Sequence, residues 1–552
     1  MNRLYSVAEI RAIEHAAAAV LPDGALMQRA GQSGANAALD LLPFSTEGAK
    51  VLVLAGPGNN GGDALEAAAH LAYAGATVTV LHYPPTAEPS AERAAALQRA
   101  RLSEVRFVEV GDDDGRAGSA GSAGSAGMTV AAEMAVAAVA ADSAMSARSD
   151  ESAGAPGTAG GVEALVAGTE WSLVVDGLFG IGLKRPIAGA MGALVAAVNE
   201  LKCQVLALDV PSGLDADTGA IVGADGVAIR ATHTVTFIAD KPGLHTCEGR
   251  DYAGLVDVSR LEIDATLFPA ASMHVNDVKL FARHLRPRQH SSHKGSYGNV
   301  AVIGGAHGMR GAPLLAARTA LHSGAGRVYA LFVDEPLPCD SGQPELMCRA
   351  ADDFDLETAT VVIGPGLGAS AAAAALLVRA IDSHSALLAD ADALNLIAAT
   401  PALQAALAGR KLAAVLTPHP LEAARLLGRS VGEVQADRVG AARELAASLN
   451  AVVVLKGSGT VIAAATGAVV INTTGNPALA TAGTGDVLSG LCGGLLAQGW
   501  PQWEAALAAV WLHGMAADVL VADGAGPIGL TAGELIPAIR MALNRMVQHH
   551  GR

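Results

Sequence analysis

Short apolar runs that break off at glycine or aspartate recur along this 552-residue chain, with helix-like segments between them. KVLVLA (50–55) stops at GPGNNGG, DALEAAAHLAYAG (63–75) reads as a helix closed by glycine, and TVTVLHY (77–83) is the next strand-like run. RFVEV (106–110), WSLVVDGLFG (171–180), CQVLALDVPSG (203–213) and THTVTFIAD (232–240) continue the alternation. Strands apolar on both faces and joined by helices pair in parallel, because a parallel pair needs a long crossover. Sites in such sheets gather at the carboxyl ends of strands. Nearly every glycine-rich or polar cluster of this chain falls at such an end.

The alternation restarts near residue 276, with NVAVIGG (299–305), GRVYALFV (326–333), TATVVIGPG (358–366), SALLAD (385–390), AAVLTPHP (413–420) and AVVVLKGSG (451–459). Two α/β domains, 1–275 and 276–552, are expected, since the length exceeds one ordinary core. Between about 111 and 161 lies low-complexity sequence, GSAGSAGSAG and SDESAGAPGTAGG around an Ala-rich piece, read as a surface insertion. A net charge of −16 argues against nucleic acid, and no Lys/Arg run points to a membrane surface. The Ala-rich stretch near 128–147 carries Glu133 and Asp142 and would not span a bilayer. The N-terminus lacks a signal-peptide core, and five cysteines form no CxxC pair, so reduced thiols in a cytoplasm are expected. A homo-oligomer is the expected assembly, although the apolar stripes available for it could equally be core.

GPGNNG (56–61) follows a strand and opens a helix, yet the next strand ends in LHYPPT without the carboxylate that holds a nicotinamide ribose. The site is therefore not that of an ordinary dehydrogenase. Asn59, Asn60 and Asp63 instead offer oxygens suited to a hard or alkali cation as well as backbone suited to phosphate. Asp176, and then Asp209 with Ser212, stand at two further strand ends, which together look like one pocket. The set AGPGNNGGD, VVDGLFGIGLKRP and DVPSGLDADTG resembles the epimerase domain of bifunctional NAD(P)H-hydrate repair enzymes, a Rossmann-like three-layer αβα domain. That resemblance implies a potassium ion at Asn60, Asp176 and Ser212. It implies hydrate contacts at Asn59, Asn60, Gly61, Gly62 and Asp63, along Gly180, Ile181, Gly182, Leu183, Lys184, Arg185 and Pro186, and at Asp209. Asp176 is also assigned a catalytic role. Where the family reads NNGGDG, this chain has Ala64 after Asp63.

In the second half no GxxxxGK[ST] occurs. LKGSGT (455–460) alone would be a hairpin turn or a phosphate loop at even odds, but AGTGDVLSG (482–490) follows it. Val487, Leu488, Leu491, Leu495 and Leu496 have helical spacing, so Asp486 sits in a first turn where unpaired amides favour an anion. A carboxylate there can take the proton of a hydroxyl that attacks a phosphoryl group. SHKGSYGNVAVIGG (292–305), GMRGAPLLAARTAL (308–321), IGPGLG (363–368), TPHPLEAARLL (417–427) and NTTGNPALATAGTGDVLSG (472–490) are similar to the ADP/ATP-dependent NAD(P)H-hydrate dehydratases, a ribokinase-like family. This implies nucleotide contacts at Lys456, Gly457, Ser458, Gly459, Thr460 and Gly485, with Mg2+ accompanying ADP or ATP. It implies hydrate contacts at Ala312, Gly366, Gly368, His419 and Asp486, with Asp486 as catalytic base. Leu421 replaces the usual glycine after His-Pro. The expected activity is epimerisation of (R)- and (S)-NADHX or NADPHX and nucleotide-driven dehydration of the S form. Two rivals stand beside it: a ribokinase-like small-alcohol kinase, and a first half that only binds cofactor.

Overall fold

The structure, a computed structural model, describes residues 3–42, 45–85, 87–110, 159–412 and 414–551. The insertion expected at 111–161 lies outside the described residues, save its last three, which open the helix Ala159–Gly168. In chain order the strands are β1 (Arg3–Leu4), β2 (Lys50–Ala55), β3 (Thr77–His82), β4 (Val105–Glu109), β5 (Leu173–Gly177), β6 (Gln204–Leu208), β7 (His233–Phe237) and β8 (Leu255–Ser259). They continue with β9 (Met273–Val275), β10 (Asn299–Gly304), β11 (Arg327–Phe332), β12 (Met347–Ala350), β13 (Thr360–Ile363) and β14 (Leu387–Ala389). The last are β15 (Val415–Leu416), β16 (Val452–Leu455), β17 (Val461–Ala463) and β18 (Val469–Ile471).

The first sheet runs β4-β3-β2-β5-β6-β7-β8, all parallel, and its order reverses between β2 and β5. Val51, Val53 and Ala55 of β2 enter one core and Leu52 and Leu54 the core on the opposite face, which is why the run is apolar without alternation. The second sheet runs β1-β9-β18-β17-β16-β15-β14-β13-β10-β11-β12 and is parallel from β12 through β16. Here Val300 and Val302 face one core and Ala301 and Ile303 the other. Its reversal lies between β10 and β13. The loops after β2, β5 and β6, and after β10, β13, β14, β15 and β16, are therefore where sites are expected.

Two local features differ from the sequence reading. The helix expected from residue 63 begins at Asn59 and ends at Tyr73, so NNGGD lies inside it. Glycine is a poor helix former by about 1 kcal/mol, but a Cβ on Gly61 would collide with the Gly56 carbonyl, so close approach decides the position. LKGSGT does turn a hairpin, since β16 pairs antiparallel with β17 across it. The hairpin-turn reading of that loop therefore holds.

The two halves are stitched at the chain start. β1 pairs antiparallel with β9 at the edge of the second sheet, while the Tyr5 amide donates to the Asp240 carbonyl of the first half at 2.9 Å. Leu4 is buried in the second core and Tyr5 in the first. The helix Gln502–Ala522 is long and apolar enough to cross a membrane by length and composition, and its Ala505–Val510 face is buried in the second core.

The helix that carries Asp486, Thr484–Ala497, packs on the helix Gly311–His322 at Gly490, where a Cβ would run into the Ala316 carbonyl. Gly490→Ala is expected to cost about 1–3 kcal/mol through overpacking. An unchanged thermal unfolding profile would contradict this contact.

Candidate active sites

A cavity of about 690 Å³ opens at the carboxyl ends of β2, β5 and β6. Pro57, Gly58, Asn59, Asn60 and Asp63 form one wall, Leu178 to Leu183 a second, and Asp209 a third. The glycine loop is held from below by buried Arg93, which donates to the carbonyls of Gly56 (2.9 Å), Gly58 (3.2 Å) and Tyr83 (3.3 Å). Gly56 itself lies so near the Leu178 carbonyl that a side chain there is impossible.

Asp209 takes a left-handed φ of 69°, a strain of about 1–3 kcal/mol of the kind that gathers at functional sites. Its Oδ1 pairs with Lys241 Nζ at 2.8 Å, and its Oδ2 accepts from the Ile181 amide at 3.4 Å. Lys241 is wholly buried and also donates to Thr236 Oγ1 (2.6 Å) and to the carbonyls of Phe237 and Ala239. The pairing sets the Asp209 carboxyl and its counter-ion together at the cavity wall. On the adjacent wall, burial and then the nearby Asp209 push the Asp63 carboxyl well above the ordinary carboxylate range. Two carboxyl groups, one paired with a buried ammonium and one with a raised pKa, thus face one space.

Behind the wall lies a second constellation. Asp176 is fully buried: its Oδ1 accepts from Ser212 Oγ (2.6 Å) and the Leu178 amide (3.2 Å), its Oδ2 from the Ser212 amide (2.8 Å). Burial lifts its pKa from 3.8 to about 6, against those three donors, which favour the charged form. Asn60 donates from Nδ2 to the Leu208 carbonyl at 3.1 Å, whereas its buried Oδ1 has no partner among the described residues. A buried amide oxygen without a donor is costly unless something positive meets it.

The second site centres on Lys456 at the end of β16. Its Nζ donates to Asp390 Oδ1 at 2.8 Å and lies 4.0 Å from Glu422 Oε2. Burial works against this ammonium, but Asp390 and Glu422 outweigh it and hold its pKa above the ordinary value. Ser489 Oγ donates to Asp390 Oδ2 at 2.6 Å, so Asp390 links the hairpin to the Asp486 helix. Asp486 accepts no hydrogen bond among the described residues. Burial, then proximity to Asp390, raises its pKa to about 6, with Lys456 opposing.

A cavity of about 500 Å³ adjoins this group, lined by Lys456, Gly457, Ser458, Thr460 and Gly485 at a polar end and by Leu479, Ala480, Leu488 and Val510 at an apolar one. His513 stands in its wall. Burial drives its pKa down to about 4, and its Nε2 lies 3.0 Å from the Thr484 carbonyl, so the ring is neutral with the proton on Nε2.

Among the residues expected from sequence, Asn59, Asn60, Asp63, Gly180, Ile181, Gly182, Leu183 and Asp209 line the first cavity. Gly61 and Gly62 are inside the helix, packed on Gly56 and Met27, and Lys184, Arg185 and Pro186 are exposed outside the lining. Ala64 is fully buried against Gly177, away from the cavity, so its methyl group crowds no ligand. Ala312 sits beside Gly366, whose φ of +57° only glycine adopts easily, and the Gly368 amide donates to Asp392 at 2.8 Å. His419 caps the helix Pro420–Leu427: its Nδ1 accepts from the Leu421 amide at 3.1 Å, and its Nε2 faces Glu422 Oε1 at 3.1 Å. Arg93, Lys241, Asp390 and His513 were not singled out by the sequence reading. Asp390 alone carried a usable signal, an aspartate ending the SALLAD strand.

The family described as NAD(P)H-hydrate dehydratase matches residues 300–540, and that described as YjeF-related protein N-terminus matches residues 23–243. A bifunctional NAD(P)H-hydrate repair enzyme of Leishmania braziliensis is 34% identical over 586 residues, covering 99% of this chain and 94% of that protein. One from Coxiella burnetii is 42% identical over 67% of this chain and 76% of its own length. An ADP-dependent (S)-NAD(P)H-hydrate dehydratase of Neisseria meningitidis is 44% identical over 49% of this chain and 92% of its own length. A small-alcohol kinase would leave the first half unexplained, whereas the Leishmania match spans both halves. With a YjeF-related first half and an NAD(P)H-hydrate dehydratase second half, each an α/β unit on its own largely parallel sheet, the chain belongs to the family of bifunctional NAD(P)H-hydrate repair enzymes.

Proposed function

We propose that this chain restores hydrated nicotinamide cofactors in two steps, with residues 1–275 as the epimerase domain and 276–552 as the dehydratase domain. The carrying observation is that both cavities possess the acid–base and charge groups their steps require. In the first, the hydrate's diphosphate meets the glycine backbone after β2 and β5. Exchange between epimers requires the C6–O bond to break with help from the ring nitrogen and to re-form on the other face, with a proton given to the departing oxygen and taken from the returning water. Asp63, whose pKa is raised, and Asp209, paired with Lys241, supply the acid and the base.

Asn60, Asp176 and Ser212 are assigned to potassium. Asn60 Oδ1, without a partner among the described residues, and the buried carboxylate and hydroxyl of Asp176 and Ser212 make a donor set of the kind a hard cation prefers. When bound, potassium would supply a fixed positive charge next to the cavity. On this assignment Asp176 contributes charge and position, while Asp209 and Asp63 face the substrate.

In the second, ADP occupies the cavity beside Lys456 to Thr460 and Gly485, and the hydrate lies toward Ala312, Gly366, Gly368 and Asp486. The ADP preference rests on the Neisseria relative named for it. Asp486 takes the proton of the C6 hydroxyl as its oxygen attacks the terminal phosphoryl group. AMP is the leaving group of that transfer. The C6–O bond then breaks, inorganic phosphate departs and a proton is lost from C5 to water, which restores the C5=C6 bond of the dihydronicotinamide ring. Lys456 and the amides of the helix start at Thr484 stabilise the charge that moves onto the phosphoryl oxygens. Mg2+ would share that charge with them.

Asp486→Asn should lower dehydration of (S)-NADHX by at least about a hundredfold, with epimerisation unchanged. Retained dehydratase activity would exclude Asp486 as the base. A base that must be ionised and titrates near pH 6 makes kcat/KM fall about tenfold per pH unit below 6 and level off above it; a profile flat from pH 5 to 8 would contradict the assignment. KCl should raise the thermal midpoint of the wild-type chain more than NaCl does. Asn60→Leu should erase that difference, and its persistence would rule out Asn60 as a ligand.

A further inference from the structure

The nucleotide cavity is not walled by the second half alone. Arg250, on the short helix Gly249–Tyr252 of the first half, lines it together with Lys456, Ser458 and Gly475. The segment around it grips both loops of the cavity. Thr246 Oγ1 donates to the Gly459 carbonyl at 2.8 Å, and the Cys247 amide donates to the Ser458 carbonyl at 3.1 Å. Gly459 can carry no side chain there, because a Cβ would meet the His245 carbonyl. Arg438, fully buried in the second half, donates from Nε to Thr246 Oγ1 and from Nη2 to the carbonyls of Leu455 and Lys456, each at 3.2 Å. The hairpin that presents Lys456 is thus seated on the first half.

On the opposite side of the cavity, Arg250 Nη2 donates to the carbonyls of Thr473 (2.9 Å) and Gly475 (3.1 Å). These bonds use one of its three nitrogens. Among the described residues its Nε and Nη1 make no hydrogen bond, and no carboxylate is paired with it. A guanidinium cannot lose its charge to relieve that situation, and its natural partner is an oxyanion. Asp518 and Asp251 favour its charge from a distance, neither forms an ion pair with it, and Arg250 belongs to the lining of a cavity of about 500 Å³.

We propose that Arg250 binds the nucleotide, so that the first half completes the nucleotide site of the second. This rests on reading that cavity as the ADP site. Binding and domain docking are then linked: whatever seats the 246–250 segment strengthens nucleotide affinity, and nucleotide strengthens the seating by the same factor.

The test is calorimetric titration of the full chain with ADP, for wild type, Arg250→Gln and Lys456→Met, with the thermal midpoint of each free protein as control. Arg250→Gln keeps an N–H for the two carbonyls and removes the charge, so a purely structural role would survive it. The inference expects the Kd for ADP to rise about tenfold in Arg250→Gln, and to respond less steeply to added salt than in wild type, with the free midpoint and the epimerisation rate unchanged. If Lys456→Met weakens ADP binding and Arg250→Gln leaves it within twofold of wild type, the inference is overturned while the cavity keeps its reading. If neither substitution weakens binding, the ADP site lies elsewhere and both fall.

Discussion

At Gly56 the backbone comes so near the Leu178 carbonyl that no side chain fits between them, and Gly304 and Gly364 meet the carbonyls of Pro365 and Asp390 in the same way. Each contact joins the loop after one parallel strand to the loop after its neighbour, at or next to the point where strand order reverses. Both sites follow from these approaches. The first sets the Asn59–Asp63 helix start against the Leu178–Leu183 turn; the others set the glycines of IGPGLG against the Ala312 helix and Asp390. A methyl group at any of them would push apart loops whose side chains must share one ligand.

The two sites solve the problem of buried charge differently. Asp209 and Lys241 form a pair sealed into the wall, where removing either partner leaves an uncompensated charge. Among the described residues Asp176 has only hydroxyl and amide donors and Asn60 Oδ1 stays unmet, and the proposed potassium assignment rests on these groups. In the second half Lys456 is shared between Asp390 and Glu422, with Asp486 left free of hydrogen bonds among the described residues. A carboxylate restrained by nothing but its surroundings is available to accept a proton. In both halves an ion pair stands close to a carboxyl group whose pKa is raised.

Much of this was legible in the sequence, and the reasons are specific. Apolar runs such as KVLVLA and NVAVIGG can only be strands buried on both faces, so the parallel sheets and their carboxyl-end loops followed from pattern. Asp486 was legible because glycine, threonine and helical periodicity converge on it. The start of the Asn59 helix was misplaced because four polar and glycine residues carry no helix signal; close contact with Gly56 puts them there. Lys241 and Arg93 stayed hidden because the partners that give them a role, Asp209 for Lys241 and the Gly56 and Gly58 carbonyls for Arg93, belong to other strand ends. β1 and β9, two and three residues long, have too few side chains to show a period, and their pairing joins residues about 270 positions apart. Arg250 could not be read as a site residue at all, since its surroundings belong to the other half of the chain.

The central claim is that two cavities on one chain act in series on one damaged cofactor. Mixed (R)- and (S)-NADHX, supplied to the purified chain with ADP, Mg2+ and K+ and followed by NADH absorbance, tests it most directly. Complete conversion of both epimers to NADH is the predicted result. Recovery that halts at the S share, with the R hydrate left unconsumed, would show that the first cavity does not epimerise and would contradict the account.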